Sequence, residues 1–360
     1  MKKASNEGWF TRKLLTWHNV ENERIMPWKG EKDPYKIWLS EIILQQTRVE
    51  QGMAYYLKFI QNYPTVEALA AAPDDDVFKL WEGLGYYSRC RNLLAAARTI
   101  VLEYNGNFPT NYTSILLLKG VGPYTASAIA SFAFNLPHAV VDGNVNRVLS
   151  RFFGIKTAID SSKGKQEFAS LAASLLPPKN SGLYNQAIMD FGATICKPQL
   201  PVCDACCMQP QCVAYQKNLI SQLPHKEKKL IKKERWFYYV MAQKKGQWLI
   251  QKRQSKDIWH QLHEFFLIEK ESLLDPVSIL SSAVFTEVFP GTNKLVSISD
   301  SYRQQLTHQT IHAVFISIQP SKVKVPDNHF WADETAIRKL AFPRLINHYL
   351  QKEKEEGKSW

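Results

Sequence analysis

Five of the chain's six cysteines fall within seventeen residues, and four of them, Cys196, Cys203, Cys206 and Cys212, are spaced C-x6-C-x2-C-x5-C. Four thiolates in one short loop can hold a [4Fe–4S] cluster or a tetrahedral zinc, and the backbone between them must then wrap a single centre. Zinc ribbons usually bring two close C-x2-C pairs far apart in sequence. Here there is one close pair in a compact loop, which suits a cuboidal cluster, with zinc as the alternative. A disulfide framework belongs to secreted chains, yet Met1 to Trp9 lacks the apolar core of a secretory signal. The cluster therefore reads as a metal site in a reducing compartment. Cys207 adjoins Cys206, so its side chain should point away. Cys90, in a helical segment, reads as a packed apolar residue.

The 360 residues allow two ordinary domains. From Trp9 to about Cys212, apolar residues recur at three and four, with turn signals such as Ala72-Pro73-Asp74, Asn105-Gly106-Asn107 and Pro177-Pro178. This half, residues 1–217 with the cysteine loop at 196–212, is predicted all-α. Residues 218–235 form a charged linker containing Lys226-Glu227-Lys228-Lys229. The composition then shifts. Trp236 to Met241, Trp248 to Ile250 and Ile311 to Ile318 are strand candidates, Lys245-Gly246 a turn, and Leu340 to Leu350 a helix. Residues 236–350 thus read as an α+β domain, and 351–360 as a charged tail. The net charge of +12 favours a polyanionic partner such as nucleic acid. No apolar run approaches the roughly 18 residues of a membrane-spanning helix. A cytoplasmic, nucleoid-associated monomer with no membrane contact is expected.

Leu118-Lys119-Gly120-Val121-Gly122-Pro123-Tyr124 joins an apolar helix end to a small-residue helix. The glycines permit a tight turn, and the N–H groups at the following helix start can hold a phosphate. An ordinary glycine-rich connection is the alternative. Glu41 lies in Ile37-Trp38-Leu39-Ser40-Glu41-Ile42-Ile43-Leu44, with Ser40 the other polar side chain. Desolvation there would raise its pKa and make it a general acid near neutrality. The alternative is a surface glutamate on an amphipathic helix. Asp142 precedes Gly143-Asn144-Val145 at a helix start, where it can cap the helix and stay ionised. One protonated acid beside one anion is the pairing that dissociative glycosidic cleavage needs.

Together these motifs resemble the adenine DNA glycosylases of the helix–hairpin–helix superfamily, relatives of endonuclease III. Pro34 to Glu41, Leu44 to Val49, Glu82 to Arg89 and Val141 to Val145 are similar to that family's diagnostic stretches. The resemblance implies an all-α helix–hairpin–helix glycosylase domain with a [4Fe–4S] loop, followed by an α+β Nudix-like domain for lesion recognition. It implies that Glu41 protonates N7 of a flipped adenine and that Asp142 stabilises the sugar cation. Asn144 would orient the carboxylates, with Tyr124 at the edge of the site. Gln46 and Tyr86 would enter the duplex, and Gly120 and Gly122 would meet the backbone. The implied partner is double-stranded DNA carrying A:8-oxoguanine or A:G mispairs. Bifunctional relatives place a lysine at the position of Tyr124, so lyase activity should be weak or absent. Leu306-Thr307-His308 is similar to the family's Phe-Ser-His loop that senses 8-oxoguanine, with leucine for phenylalanine and threonine for serine. No Nudix catalytic box occurs. A non-catalytic DNA-binding relative and a glycosylase for mismatched thymine are the competing readings.

Overall fold

The computed structural model describes residues 2–227 and 232–357, with side chains from residue 7 onward. Residues 228–231 of the predicted linker and 358–360 of the predicted tail lie outside the described residues. The chain forms two compact units. One comprises residues up to 71 with those from 92 to the linker, and the other comprises residues 72–91 with those after the linker.

The first unit is built of helices, as their patterning predicts. Their ends follow local chemistry. Asp33 accepts a hydrogen bond from the Tyr35 amide at 2.9 Å, with Pro34 opening the Pro34–Leu44 helix. Asn111 caps the Tyr112–Leu117 helix through Ser114, and Ser161 caps Ser162–Leu175 through Gly164. Asn135 and Gly154 end their helices in the left-handed conformation. One core gathers Phe10, Leu14 and Trp17 of the Lys2–Val20 helix with Val148, Leu149 and Phe152 of Gly143–Phe153 and with Phe168 and Phe191. Each such side chain contributes about 2 kcal/mol of apolar burial. The Pro34–Leu44 helix is buried nearly all round, from Ile37 through Ile43, and packs against Val49–Asn62 and Pro123–Phe134.

The second unit carries a mixed sheet of β1 (Lys233–Lys244), β2 (Gln247–Lys252), β3 (His263–Lys270), β4 (Asn293–Ile298), β5 (Tyr302–Gln305), β6 (Gln309–Pro320) and β7 (His329–Ala332). The order is β4-β6-β1-β3-β2-β7, with β5 also on β6; β1 and β6 run parallel, with Tyr238 opposite Val314. Lys245 and Gly246, with φ of 52° and 74°, make the two-residue turn from β1 to β2. The last helix is Arg344–Glu355, shifted from the predicted 340–350 into the charged tail. Leu345, Ile346, Tyr349 and Leu350 bury one face, and the exposed face adds i,i+4 pairs such as Gln351–Glu355. No helix among the described residues is long and apolar enough to cross a membrane.

Candidate active site

Glu41 is 7% exposed, because the helix that carries it has no solvent face at that position. The surface-glutamate alternative is thereby removed. Burial pushes its carboxyl up to about 7; a hydrogen bond from Tyr124 pulls the other way and the Asp142 charge adds to the rise. Tyr124 follows Pro123 at the start of the Pro123–Phe134 helix, and its hydroxyl also lies 4.0 Å from the Met189 sulfur. Burial, then the neighbouring carboxylates, holds the phenol well above its ordinary value, so it acts as a donor.

Asp142 caps the Gly143–Phe153 helix. Its Oδ1 accepts from the Val145 amide at 2.7 Å and its Oδ2 from Asn144 Nδ2 at 2.8 Å. An ordinary N-cap would simply favour the anion. Here burial is the largest influence and raises the carboxyl, while the Val145 and Asn144 bonds and the Arg147 charge act against the rise. Both carboxyls, Tyr124, Asn144 and Gln46 line one cavity of about 740 Å³. Trp28, seated edge-on against Tyr56, and Leu44 supply apolar wall. That volume suits a nucleobase with its sugar.

Gln46 holds φ of 56° just beyond the Pro34–Leu44 helix, where Gln45 Nε2 donates to Thr125 Oγ1 at 3.2 Å. Left-handed backbone at a non-glycine residue costs about 1 kcal/mol and recurs at functional positions. In the hairpin, Gly120 has φ of 78°, and a Cβ there would sit 2.6 Å from that of Asn92. Gly122 opens onto free space at the next helix start, so a phosphate oxygen can approach.

In the second unit, Tyr86 has φ of 48° and is 40% exposed. Arg89 lies over the Tyr86 ring at 5.6 Å and the Trp81 ring at 5.2 Å. The Tyr86 hydroxyl hydrogen-bonds Thr307. Thr307 and His308 form the tight β5–β6 loop, closed by Leu306 N to Gln309 O at 2.8 Å; the His308 carbonyl accepts from Lys233 N at 3.0 Å.

Cys196, Cys203, Cys206 and Cys212 line one small cavity of about 30 Å³ with Arg151. Burial raises the Cys203 and Cys212 thiols and pushes Cys206 up to about 12, and negative charge on neighbouring cysteines adds to each rise. Arg151 Nη1 stands 3.5 Å from the Cys196 sulfur and donates to Lys197 O at 2.7 Å. Cys207 does not line this cavity; its charged neighbours are Glu21 and Lys13. Among the described residues, no three His, Cys, Asp or Glu side chains gather closely enough to hold a single metal ion. The thiols are arranged around a space.

Three residues escape sequence reading. Arg147 donates to Asn144 Oδ1 at 2.8 Å, Gly192 O at 2.7 Å and Cys196 O at 2.7 Å, tying the Asp142–Asn144 pair to the cysteine loop. Its place three residues after Asn144 on a helix is a signal for the first contact. Arg151, one turn later, braces the loop itself. Asp190 is fully buried beside the cavity; an aspartate within Ile188-Met189-Asp190-Phe191 is the trace it leaves in sequence.

Residues 39–174 match the family described as HhH-GPD superfamily base excision DNA repair protein, and 237–352 match a NUDIX domain. The adenine DNA glycosylase of Buchnera aphidicola (subspecies Baizongia pistaciae) is 31% identical over 352 residues, covering 96% of this chain and 97% of that protein. The Rattus norvegicus adenine DNA glycosylase is 44% identical over 227 residues, 60% of this chain and 44% of that one. Among solved structures, a thermostable thymine-DNA glycosylase aligns with a TM-score of 0.56 and 32% identity, covering 60% of this chain and all of the other. A non-covalent endonuclease III–DNA complex aligns with a TM-score of 0.51 and 21% identity over 59% of this chain and 95% of the other, a likeness of fold.

Proposed function

This chain belongs to the adenine DNA glycosylase family of base excision repair, and from that premise we propose that it removes adenine mispaired with 8-oxoguanine or guanine. As a DNA N-glycosylase it must reach the base outside the helical stack. Extrusion costs a few kcal/mol, which contacts to the backbone and wedges at the lesion must offset. Gln46 and Tyr86, held in strained backbone, are the proposed wedges, and Gly120 and Gly122 the backbone clamp.

The reading rests chiefly on Glu41 and Asp142 lining one cavity, with Tyr124 in the same lining and hydrogen-bonded to Glu41. Glu41 in its acid form donates a proton to N7 of adenine, making the base a better leaving group. The Asp142 anion, steadied by Asn144 and the Val145 amide, stabilises the cationic sugar as the bond opens. Glu41, then ionised, takes a proton from the attacking water. Tyr124 cannot form an imine, so strand cleavage is weak or absent. Thr307 and His308 would meet the base opposite adenine, with the Thr307 hydroxyl as hydrogen-bonding group. Cys196, Cys203, Cys206 and Cys212 would hold a [4Fe–4S] cluster, whose contribution is to fix the 196–212 loop. The enzyme would act as a cytoplasmic monomer at the nucleoid.

A second reading, removal of mismatched thymine, draws on the likeness to a thymine-DNA glycosylase. Single-turnover release from duplexes carrying A:8-oxoguanine, A:G, A:T and T:G decides. Fastest release of adenine opposite 8-oxoguanine is expected; no adenine release, or preferential thymine release, overturns the proposal.

A further inference from the structure

Residues 72–91 lie well inside the half of the sequence predicted as helical, yet they cluster with the C-terminal sheet. The Asp74–Trp81 helix leads into the loop that carries Tyr86. The residue read as a wedge therefore belongs to the same unit as Thr307 and His308.

That loop needs support. Gly83, Gly85 and Tyr86 all have positive φ, of 96°, 73° and 48°, a run that an unsupported chain leaves readily. Trp81 Nε1 donates to Gly85 O at 3.1 Å and Arg89 Nη2 to Leu84 O at 3.3 Å. These bonds shape the loop and stay within residues 81–89.

Glu82, where the helix ends, reaches outward. Its Oε1 accepts from the Phe342 amide at 2.9 Å and its Oε2 from Lys79 Nζ at 2.9 Å. Lys79 Nζ also donates to Leu340 O at 3.0 Å. Two side chains one turn apart thus grip both ends of the 340–342 segment. That segment is itself fixed. The His263 amide of β3 donates to Ala341 O at 2.9 Å, and the Phe342 ring stacks on Phe265. Asp75 with Lys252 at 2.6 Å and Arg91 Nη1 with His260 O at 2.8 Å tie the two ends of the 72–91 segment. Glu82 ties its middle, four residues before Tyr86. A side chain inserted between stacked base pairs meets the resistance of the stack, so a wedge works only from a base that does not yield.

We propose that Glu82 is a positioning residue for base extrusion: by joining the Tyr86 loop to the 340–342 segment, it makes the wedge and the sheet one rigid support. This rests on the reading of Tyr86 as a wedge. Glu82 acts through Tyr86 and not on the extruded base.

The test follows extrusion by the full chain with 2-aminopurine in place of adenine opposite 8-oxoguanine, since its fluorescence rises as it leaves the stack. Glu82→Ala, Tyr86→Ala and the double variant are compared. Glu82→Ala removes the acceptor of a buried amide, so extrusion should slow about tenfold. The double variant should be no slower than Tyr86→Ala, because both changes disable one wedge. Glu82→Gln keeps a carbonyl for the Phe342 amide and should recover most of the loss. The pH limbs of adenine release should not move in any of them. Wild-type extrusion by Glu82→Ala, losses that multiply in the double variant, or no recovery in Glu82→Gln overturns the proposal. If Glu82→Ala does not fold, Lys79→Met takes its place. It cuts the bonds to Glu82 and Leu340 and should slow extrusion several-fold; an unchanged rate overturns the proposal. Wild-type extrusion by Tyr86→Ala would instead overturn the wedge reading, and this proposal with it.

Discussion

Replacing Glu41 by glutamine should stop base release while making the protein more stable above neutrality. At pH 7 a carboxyl titrating near 7 is half in its acid form, whereas one at 4.5 would be about 0.3% protonated. Burial thus enriches the proton donor roughly 150-fold. The same burial destabilises the fold. The native state holds the Glu41 proton more tightly than the unfolded chain does. Its stabilising effect is therefore complete below about pH 4.5, declines as pH rises, and is gone above about 7. Moving the titration from 4.5 to about 7 corresponds to about 3 kcal/mol. Glutamine does not titrate and can still accept from Tyr124. Stability of Glu41→Gln relative to wild type should therefore grow by about 3 kcal/mol between pH 4.5 and 7 and level off beyond. Urea unfolding across that range measures the difference, and single-turnover assays measure release. A flat stability difference would refute the desolvation argument. Retained release, or duplex binding lost in step with release, would refute the acid role.

Three further outcomes follow from the same geometry. Tyr124→Phe removes the hydrogen bond that lowers the Glu41 carboxyl, so the alkaline limb of the pH–rate profile should move to higher pH; an unmoved limb counts against the contact. Arg253→Met strands Glu264, which is 1% exposed and accepts from Arg253 at 2.9 and 2.8 Å. Denaturant unfolding should show a loss of about 3–5 kcal/mol, largely restored when Glu264→Gln is added; no recovery in the double variant would show that packing dominates. The purified protein should absorb visible light and carry about four irons, with both lost together in Cys203→Ser. A colourless protein with stoichiometric zinc would replace the cluster assignment.

Much of the fold and of the site is legible in the amino-acid sequence. Helical periodicity and caps such as Asp33, Asn111 and Ser161 are local, so they mark the helices directly. Lys245-Gly246 betrays its hairpin because two successive left-handed residues make one kind of turn. Strands β3, β4, β5 and β7 are not among the strands that the pattern predicts. β4 and β5 are largely exposed or short, so their pairing depends on neighbours more than on pattern. The Arg344–Glu355 helix overruns its predicted end because side-chain pairs along its exposed face sustain it past the last apolar residue.

Residue type and spacing alone determine which groups can do chemistry: four thiols in a short loop, an acid among apolar residues, an aspartate at a helix start. Only tertiary structure decides their surroundings. Whether Glu41 faces water or protein depends on the helices packed around Pro34–Leu44, and that packing sets the free energy of its charged form. Arg147 reaches Asn144 within one helix but Cys196 only across the fold. Asp190 meets its loop partners across more than 160 positions, as in its bond from Arg24. Electrostatics and hydrogen bonding act through distance in space, so sequence can nominate the participants while the folded chain supplies the separation.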